Sequence, residues 1–527
     1  AHLLAAMTHT ILTEDLAQPG ALAEHANGLD RLPELFSRFS PEEAATACGI
    51  PAEEIRRMAR ELAAAPRAAV YARIGTTTQE YGTLASWLVD VLNVITGNLD
   101  REGGAMFTRA AAGQSNSTGE PGRGRGLKLG RYASRVRGLP ETFGELPVAC
   151  LAEEIETPGE GRIRALLTVA GNPVVSTPNS ARLARAIGSL EFMVSIDPYL
   201  NETTSLADVV LPVPTPLERG HYDLALYQLA VRNVANYTPA SLELADGMLP
   251  EWQTMMRLLG IFTGQGPDAD VDVIDDFIAL EAARRETVTA GSPAEGMEPA
   301  DVVASLDGRR GPERILDLLL RCGPYGAGLP GHPDRGGTAA AEGLSLDTLE
   351  AAPHGVDLGP LEPRLPDVLR TPSGKIELCP EPLVADLDRL ADSLGAEAPE
   401  MVLIGRRHLR SNNSWLHNLP HLVRGPDRCT MHVSPGDADR LGLSDGGSAR
   451  VSSRAGTVEV PVEVTDAIMS GVVSIPHGWG HDAPGVRMAV ASEHAGVNSN
   501  LLSDETLVDP LSGNAVLNGI PVEVSPA

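Results

Sequence analysis

Residues 163–213 read IRALLTVAGNPVVSTPNSARLARAIGSLEFMVSIDPYLNETTSLADVVLPV, and this stretch decides the fold class. Residues 163–169 read as a strand ending in the turn Ala170-Gly171-Asn172-Pro173. Asn179 or Ser180 then caps a helix running to Ile187. A second strand is expected at 192–196, ending at Asp197, and a third, short one at 209–213. Strand, glycine loop, helix, strand and acid make half of a doubly wound nucleotide site. Gly171 would let a phosphate approach backbone amides, and Asp197 would reach a ribose or base from the end of the next strand. Asp197 follows Gly171 by about 26 residues, near the spacing of roughly 20 found in such sites. A plain turn and a surface carboxylate would use the same residues, so the stretch argues for an α/β layer more strongly than for a ligand.

Upstream, Leu3, Leu4, Met7, Ile11 and Leu12 recur at helical spacing over residues 2–16. Ser40-Pro41-Glu42-Glu43 opens another helix as a capping box, Gly49 interrupts it, and Pro51-Ala52-Glu53-Glu54 starts a third. The short apolar run 68–74 predicts a buried strand, 75–82 a polar Gly/Thr loop, and 84–95 an apolar helix stopped by Gly97-Asn98. This rhythm belongs to a parallel α/β layer. Residues 103–140 combine many glycines with Arg123, Arg125, Lys128, Arg131, Arg135 and Arg137. Such a long basic loop is either a linker or a place for an anionic ligand or cofactor.

Downstream, Asp268, Asp270, Asp272, Asp275 and Asp276 predict a solvated acidic face rather than an EF-hand, because Val273 stands where the calcium loop needs Gly. Pro/Gly-rich stretches at 323–337 and 353–373 read as surface connections. Gly374-Lys375 lacks the preceding Gly of a phosphate-binding P-loop. The β-branched runs 449–452, 457–464 and 472–475, separated by Gly and Asp turns, predict a compact barrel.

The chain has 527 residues, about three or four domains' worth at roughly 150 each. With 42 basic against 70 acidic residues, its formal charge of −28 excludes a global footprint for nucleic acid or an anionic membrane. No apolar run approaches the ~18 residues of a membrane span. Cys48, Cys150, Cys322, Cys379 and Cys429 are scattered without a CxxC, so no zinc ribbon, iron–sulfur cradle or disulfide framework is expected. Free thiols in a reducing, cytoplasmic setting are the simplest reading. The start Ala1-His2-Leu3-Leu4 lies within a predicted helix and suggests a fragment.

No Ser/His/Asp or Cys/His arrangement can be assembled, and no catalytic residue is assigned. His408, His417, His421, His432, His477 and His481 gather late in the chain. The pairs His417/His421 and His477/His481 have the i, i+4 spacing of a helical metal site, but Pro420 and Gly478-Trp479-Gly480 break those windows, so no metal ligand is assigned. The runs at 410–418 and 496–500 are dense in Asn, Ser and His, whose paired donors and acceptors suit heterocycle edges and phosphates; a polar surface loop would look the same.

Taken together, the motifs resemble the molybdopterin oxidoreductase family, which includes formate dehydrogenases, nitrate reductases and dimethyl sulfoxide reductases. They run in the family's order: Gly97-Asn98-Leu99-Asp100 with Gly103-Gly104; Gly171-Asn172-Pro173; Asp197 with Thr203-Thr204; Ala207-Asp208-Val209-Val210-Leu211-Pro212; Thr371-Pro372-Ser373-Gly374-Lys375-Ile376-Glu377; Asp437-Ala438 through Gly442; and Asn500-Leu501-Leu502-Ser503. The resemblance implies an α/β fold: two Rossmann-like α/β units, both incomplete here, followed by a C-terminal double-psi β-barrel. Residues 1–150 would be the later part of the first unit, 151–240 that of the second, 241–399 a connecting region and 400–527 the dinucleotide-binding barrel.

The same resemblance implies two molybdopterin guanine dinucleotides around one molybdenum or tungsten. Gly171, Asn172 and Pro173 would hold pyrophosphate, and Asp197, with Thr204 nearby, guanine or ribose. Gly75 and Gln79 would face a pterin. Gln114-Ser115-Asn116 is similar to a Gln-Asn-Asn stretch near the metal in formate dehydrogenases, which places Gln114 and Asn116 among the cofactor contacts. Arg407, Ser411, His417, Asn418 and Asn500 would contact the cofactors from the barrel. Family members begin with a segment carrying a 4Fe-4S cluster and a metal ligand, and neither is found after Ala1, so an N-terminal truncation is expected. The implied activity is two-electron or oxygen-atom transfer, formate dehydrogenase- or nitrate reductase-like, on a small-molecule substrate with a partner redox protein. A metal-free structural or electron-transfer subunit, or a non-redox hydratase on the same scaffold, are the alternatives.

Overall fold

The structure is a computed structural model that describes residues 1–113, 121–122, 128–306, 308–329 and 343–527. Its first body is built by helices α1 (His2–Thr13), α2 (Pro41–Cys48), α3 (Ala52–Ala64) and α4 (Gly82–Ile95). The apolar face of α4 explains its position: Leu84, Leu88, Val91, Leu92 and Ile95 are fully buried against Ile11, Leu32, Phe36, Phe39 and Ile55. Ser40 caps α2 by accepting from the Glu43 amide at 3.3 Å, while its hydroxyl donates to the Glu43 carboxylate. The cap is therefore one-sided, not the reciprocal box the sequence suggests.

Two expectations for this body change. Residues 68–73 form no strand, and residues 74–77 are a short helix within the expected Gly/Thr loop. Asn93, 1% exposed on α4, takes the place of a partner strand. Its side chain accepts from the Val70 amide and donates to the Val70 carbonyl, both at 2.9 Å. One side-chain amide satisfies both backbone groups of Val70, so this apolar run needs no sheet. The second change concerns residues 376–395, expected in the connecting region. Ile376–Glu377 pairs in parallel with Ala26–Asn27, and Leu378, Leu387 and Leu390 enter the core of the first body.

The basic loop is also different from its reading. Arg131 pairs with Glu141, Arg135 with Glu154 and Arg137 with Glu153. Their charge is matched by protein carboxylates; Arg123 and Arg125 lie outside the described residues.

The second body has the expected parallel sheet, in the order β1 (Ala165–Val169), β2 (Phe192–Ile196), β3 (Val209–Leu211). Between the first two strands runs α5 (Ser180–Ile187), capped by Asn179, whose side chain accepts from the Arg182 amide at 3.2 Å. Leu183, Ile187 and Met193 close the core between helix and sheet with Ile155. Further along, α6 (Val271–Thr287) and α7 (Gly311–Cys322) pack together. Asp275 on α6 is 3% exposed and bonded to the 5%-exposed Arg314 at 2.6 Å, so the acidic run is not wholly solvated.

The last body is built on one sheet: β4 (Val402–Arg406), β5 (Met431–Val433), β6 (Ser448–Ser452), β7 (Thr457–Val464), β8 (Val472–Pro476), β9 (Asn518–Pro521) and β10 (Glu523–Pro526), in sheet order β9-β4-β8-β5-β7-β6-β10, with short helices between the strands. The two outer strands are consecutive in the chain, with only Val522 between them. The sheet is thus held at both edges by one short segment and curls around Val458, Val460, Val462, Val473 and Ile475. Alternation along β7 puts every second residue inside, as a half-buried strand requires. Among the described residues no helix is long and apolar enough to cross a membrane.

Candidate functional site

The site forms where the C-terminal ends of the parallel strands meet the barrel. β1 ends at Val169, Ala170 takes a left-handed turn (φ 54°), and Gly171 and Asn172 lead into the one-turn helix Pro173–Ser176. Asp197 follows directly on β2, so loop and acid lie at the ends of adjacent strands, the crevice where open α/β sheets place ligands. Asp197 is 4% exposed and accepts from the Tyr199 amide at 2.8 Å; burial raises its carboxyl above the ordinary aspartate range despite that bond. Thr204 is used locally: its hydroxyl donates to the Tyr199 carbonyl at 2.7 Å and accepts from the Asn201 amide at 2.8 Å.

A continuous buried chain of polar side chains runs from this loop into the barrel. Asn172 accepts from the Thr203 hydroxyl at 2.7 Å and donates to Glu202 Oε2 at 2.7 Å. Glu202 Oε1 lies 2.9 Å from His481 Nδ1, His481 Nε2 lies 2.8 Å from His417 Nδ1, and His417 Nε2 lies 2.9 Å from Ser411 Oγ. Burial raises the Glu202 carboxyl, but the His481 hydrogen bond and charge and the Asn172 amide outweigh it and hold the group below the usual glutamate range. Burial, helped by the neighbouring His481, drops His417 to about 3. The Trp479 ring packs on His417 with centroids 4.0 Å apart. Gly478 permits this approach: at φ 97° a Cβ there would come within 2.4 Å of the Asn413 carbonyl.

Two barrel asparagines grip the loop from the other side. Asn500 donates to the Val175 carbonyl at 2.7 Å, and Asn498 donates to the Val174 carbonyl at 3.2 Å and to Ser180 at 3.0 Å. Arg182 on α5 joins Glu505 of the barrel segment at 2.9 Å, and Arg454 joins both Glu505 and Asp504.

Of the residues expected from sequence, the structure thus brings Gly171, Asn172, Pro173, Ser411, His417 and Asn500 into one connected region. Asn418 caps the helix Ala489–Glu493 by accepting from the Val490 and Ala491 amides. Arg407 is exposed just beyond β4. Gly75 and Gln79 lie apart from this chain, on the turn that docks against the barrel's last segment; Asn518 donates to the Gly75 carbonyl, and Gln79 donates to the Thr76 carbonyl. Gln114 and Asn116 lie outside the described residues. Sequence reasoning missed Glu202, His481, Asn498 and Ser180 as site residues. His481 and Asn498 sat in stretches already marked by composition, but nothing local distinguishes Glu202 from a surface acid.

One cavity adjoins these elements, and a second lies apart from them, between Arg109, Asn233 and residues 291–370. The first, of about 330 Å³, is walled by Ser180, Ala184, Glu202, Glu459, Asp482 and Asn498, at the small end of the roughly 300–1,000 Å³ typical of ligand sites. Its carboxylates suit the N–H edge of an aminopyrimidinone such as guanine or pterin, because ionised carboxylates only accept. The second, of about 780 Å³, is lined by three arginines, Arg109, Arg364 and Arg370, and by Glu362 and Asp367. The first cavity and the polar chain beside it therefore fit the heterocycle edge of a pterin dinucleotide.

The comparisons with known proteins agree. Residues 1–226 match the family described as "Molybdopterin oxidoreductase", and residues 401–521 match "Molydopterin dinucleotide binding domain". The chain is 25% identical over 484 residues to "F420-dependent formate dehydrogenase 2 subunit alpha" of Methanococcus maripaludis, covering 89% of this chain and 62% of the relative. It is 25% identical over 520 residues to "Dimethyl sulfoxide/trimethylamine N-oxide reductase" of Rhodobacter capsulatus, covering 91% and 58%. The chain therefore spans less than two thirds of the length of these curated relatives. The solved structure of "Acetylene Hydratase from Pelobacter acetylenicus" shares its fold, with TM-score 0.66 and 18% identity over 100% of this chain and 70% of that one.

Proposed function

The chain belongs to the molybdopterin oxidoreductase family, and from that premise we propose that it is the cofactor-closing part of a formate dehydrogenase- or nitrate reductase-like enzyme. In this reading two molybdopterin guanine dinucleotides and one molybdenum or tungsten lie between the α/β units and a double-psi barrel. The metal supplies the two-electron or oxygen-atom exchange with substrate; the protein binds, orients and screens. Gly171, Asn172 and Pro173 offer backbone and amide groups at the pyrophosphate, Asp197 and the carboxylate-lined cavity accept from a heterocycle edge, and Asn500, Ser411 and His417 close the site from the barrel. Arg407, Asn418 and Thr204 shape its margins, and Gly75, Gln79, Gln114 and Asn116 belong to the second cofactor's side. The observation that carries this reading is the grip of Asn498 and Asn500 on the carbonyls of Val174 and Val175, which seats the barrel on the Gly171 loop. The formate dehydrogenase relative is named as an alpha subunit, which supports a partner redox protein; in this reading a 4Fe-4S cluster lies on an accompanying segment.

The test is cofactor analysis of the protein produced in a host that makes molybdopterin. Metal by mass spectrometry, pterin by fluorescence after oxidation, and guanine released by acid should appear at two guanines per metal. D197A should lower the guanine-to-protein ratio. Absence of metal and pterin would overturn the reading, and an unchanged ratio in D197A would remove Asp197 from it.

A further inference from the structure

The helix that carries the core of the first body has its head held from the barrel. α4 begins at Gly82, and its N-cap residue, Tyr81, makes no side-chain cap. No acidic residue stands in its first turn. Asp509, fully buried in the barrel's last segment, takes both roles. Its Oδ2 accepts from the Thr83 amide at 2.9 Å, which satisfies an orphan donor and sets a carboxylate at the positive end of the helix. Its Oδ1 accepts from the Thr83 hydroxyl at 2.8 Å and from three groups of its own loop: the Leu511 amide at 3.1 Å, the Ser512 amide at 2.9 Å and the Ser512 hydroxyl at 3.0 Å. One oxygen shapes the loop and the other grips the helix.

The turn before α4 is joined to the same segment. The Thr78 carbonyl accepts from the Leu517 amide at 2.9 Å and the Asn518 amide at 3.1 Å, and the Asn518 side chain donates to the Thr78 hydroxyl at 2.9 Å. Within the first body the turn lies tight on the helix head, since a Cβ at Gly82 would come within 2.1 Å of the Thr77 carbonyl. Ile74, where the turn begins, is 57% exposed, and the cores of the first body and the barrel share no residue. Directional hydrogen bonds, more than apolar packing, set the place of this turn. We propose that Asp509 is a positioning residue for the second cofactor. By pinning Thr83 it fixes residues 74–79 against the barrel, so that Gly75 and Gln79 take their cofactor-facing arrangement only when the barrel is seated. This rests on the reading of Gly75 and Gln79 as contacts of that cofactor. The Gly171 loop is seated separately, by Asn498 and Asn500. Loss of the Asp509 bond therefore loosens one cofactor side and leaves the other in place.

D509N isolates the grip on the helix. Its amide oxygen keeps the donors of the 511–512 loop, and its NH2 group then meets the Thr83 amide, donor against donor. Hydrogen exchange read by mass spectrometry on the 527-residue chain should show the amides of residues 74–84 exchanging roughly tenfold faster. Residues 165–176 and the barrel strands should exchange as in wild type. Unchanged exchange over 74–84 overturns the proposal. So does faster exchange spread through the barrel, which would make Asp509 a fold residue only. In a host that makes molybdopterin, D509N should also carry about half the wild-type guanine per protein. Full guanine content with a loosened turn overturns the positioning role. A wild type without pterin would instead remove the cofactor reading itself, while the exchange data still decide whether Asp509 holds the turn. If D509N does not fold, T83A, which removes only the hydroxyl bond, should speed exchange over 74–84 by a smaller factor in the same pattern; wild-type exchange in T83A overturns the proposal.

Discussion

His481 Nδ1 lies 2.9 Å from Glu202 Oε1, so a barrel residue and a residue of the α/β unit share one hydrogen bond in a place water does not reach. Bonds of this kind join the bodies at the loop, where alignment matters most.

The first prediction concerns that bond. E202A leaves the His481 Nδ1–H and one Asn172 amide proton without an acceptor in a buried setting. A loss of about 3 kcal/mol of stability is expected, read from the urea midpoint at neutral pH. E202Q keeps an acceptor oxygen and should lose less; equal losses would show that the hydrogen bonds are not the source.

The second is a pH dependence. His417 falls from 6.5 to about 3 on folding, chiefly through burial. Between these values the unfolded chain binds the proton and the folded chain does not, so stability falls as pH falls through this window. Glu202, held below the ordinary glutamate range, adds stability above its unfolded value that is lost on further acidification. At pH 5 the His417 contribution is about 2 kcal/mol. H417Q should flatten the melting-temperature profile between pH 6.5 and pH 5; a slope equal to wild type would assign the acid sensitivity elsewhere.

The third lies away from the site. R314L takes from Asp275, whose carboxylate is 4% exposed, its bonded guanidinium and leaves it the Gly311 amide at 3.1 Å and the more distant Arg310 at 3.6 Å. Removing one partner of a buried pair costs about 3–5 kcal/mol. Equilibrium unfolding should show that loss, and the double variant R314L/D275L should recover much of it. A single variant as stable as wild type would mean that Asp275 reaches water.

Much of the architecture was legible because its signals are local. The strands ending at Ile196 and Val464 and the helix capped by Asn179 follow from periodicity and capping within a few residues. The misreadings have non-local causes. Residues 68–74 look like a strand because the sequence does not show that Asn93 serves as their partner. Arg131, Arg135 and Arg137 look like a ligand patch because their carboxylates are recognised only once the loop is folded. At the site, Gly171 and Asn172 carry a visible motif. Glu202 does not, because its importance comes from a histidine 279 positions away.

The parallel pairing of Ala26–Asn27 with Ile376–Glu377 has a consequence for how the protein is made. Asn27 and its partner Glu377 are 350 positions apart, and Leu378, Leu387 and Leu390 complete the core around α4. A ribosome working at roughly 5–20 residues per second takes roughly 20–70 s to cover that distance. For that interval helices α1–α4 have emerged without the apolar surface that covers them. The body of helices α1–α4 is thus finished only after the second body has been synthesised, and its exposed leucines are a natural surface for chaperones during synthesis.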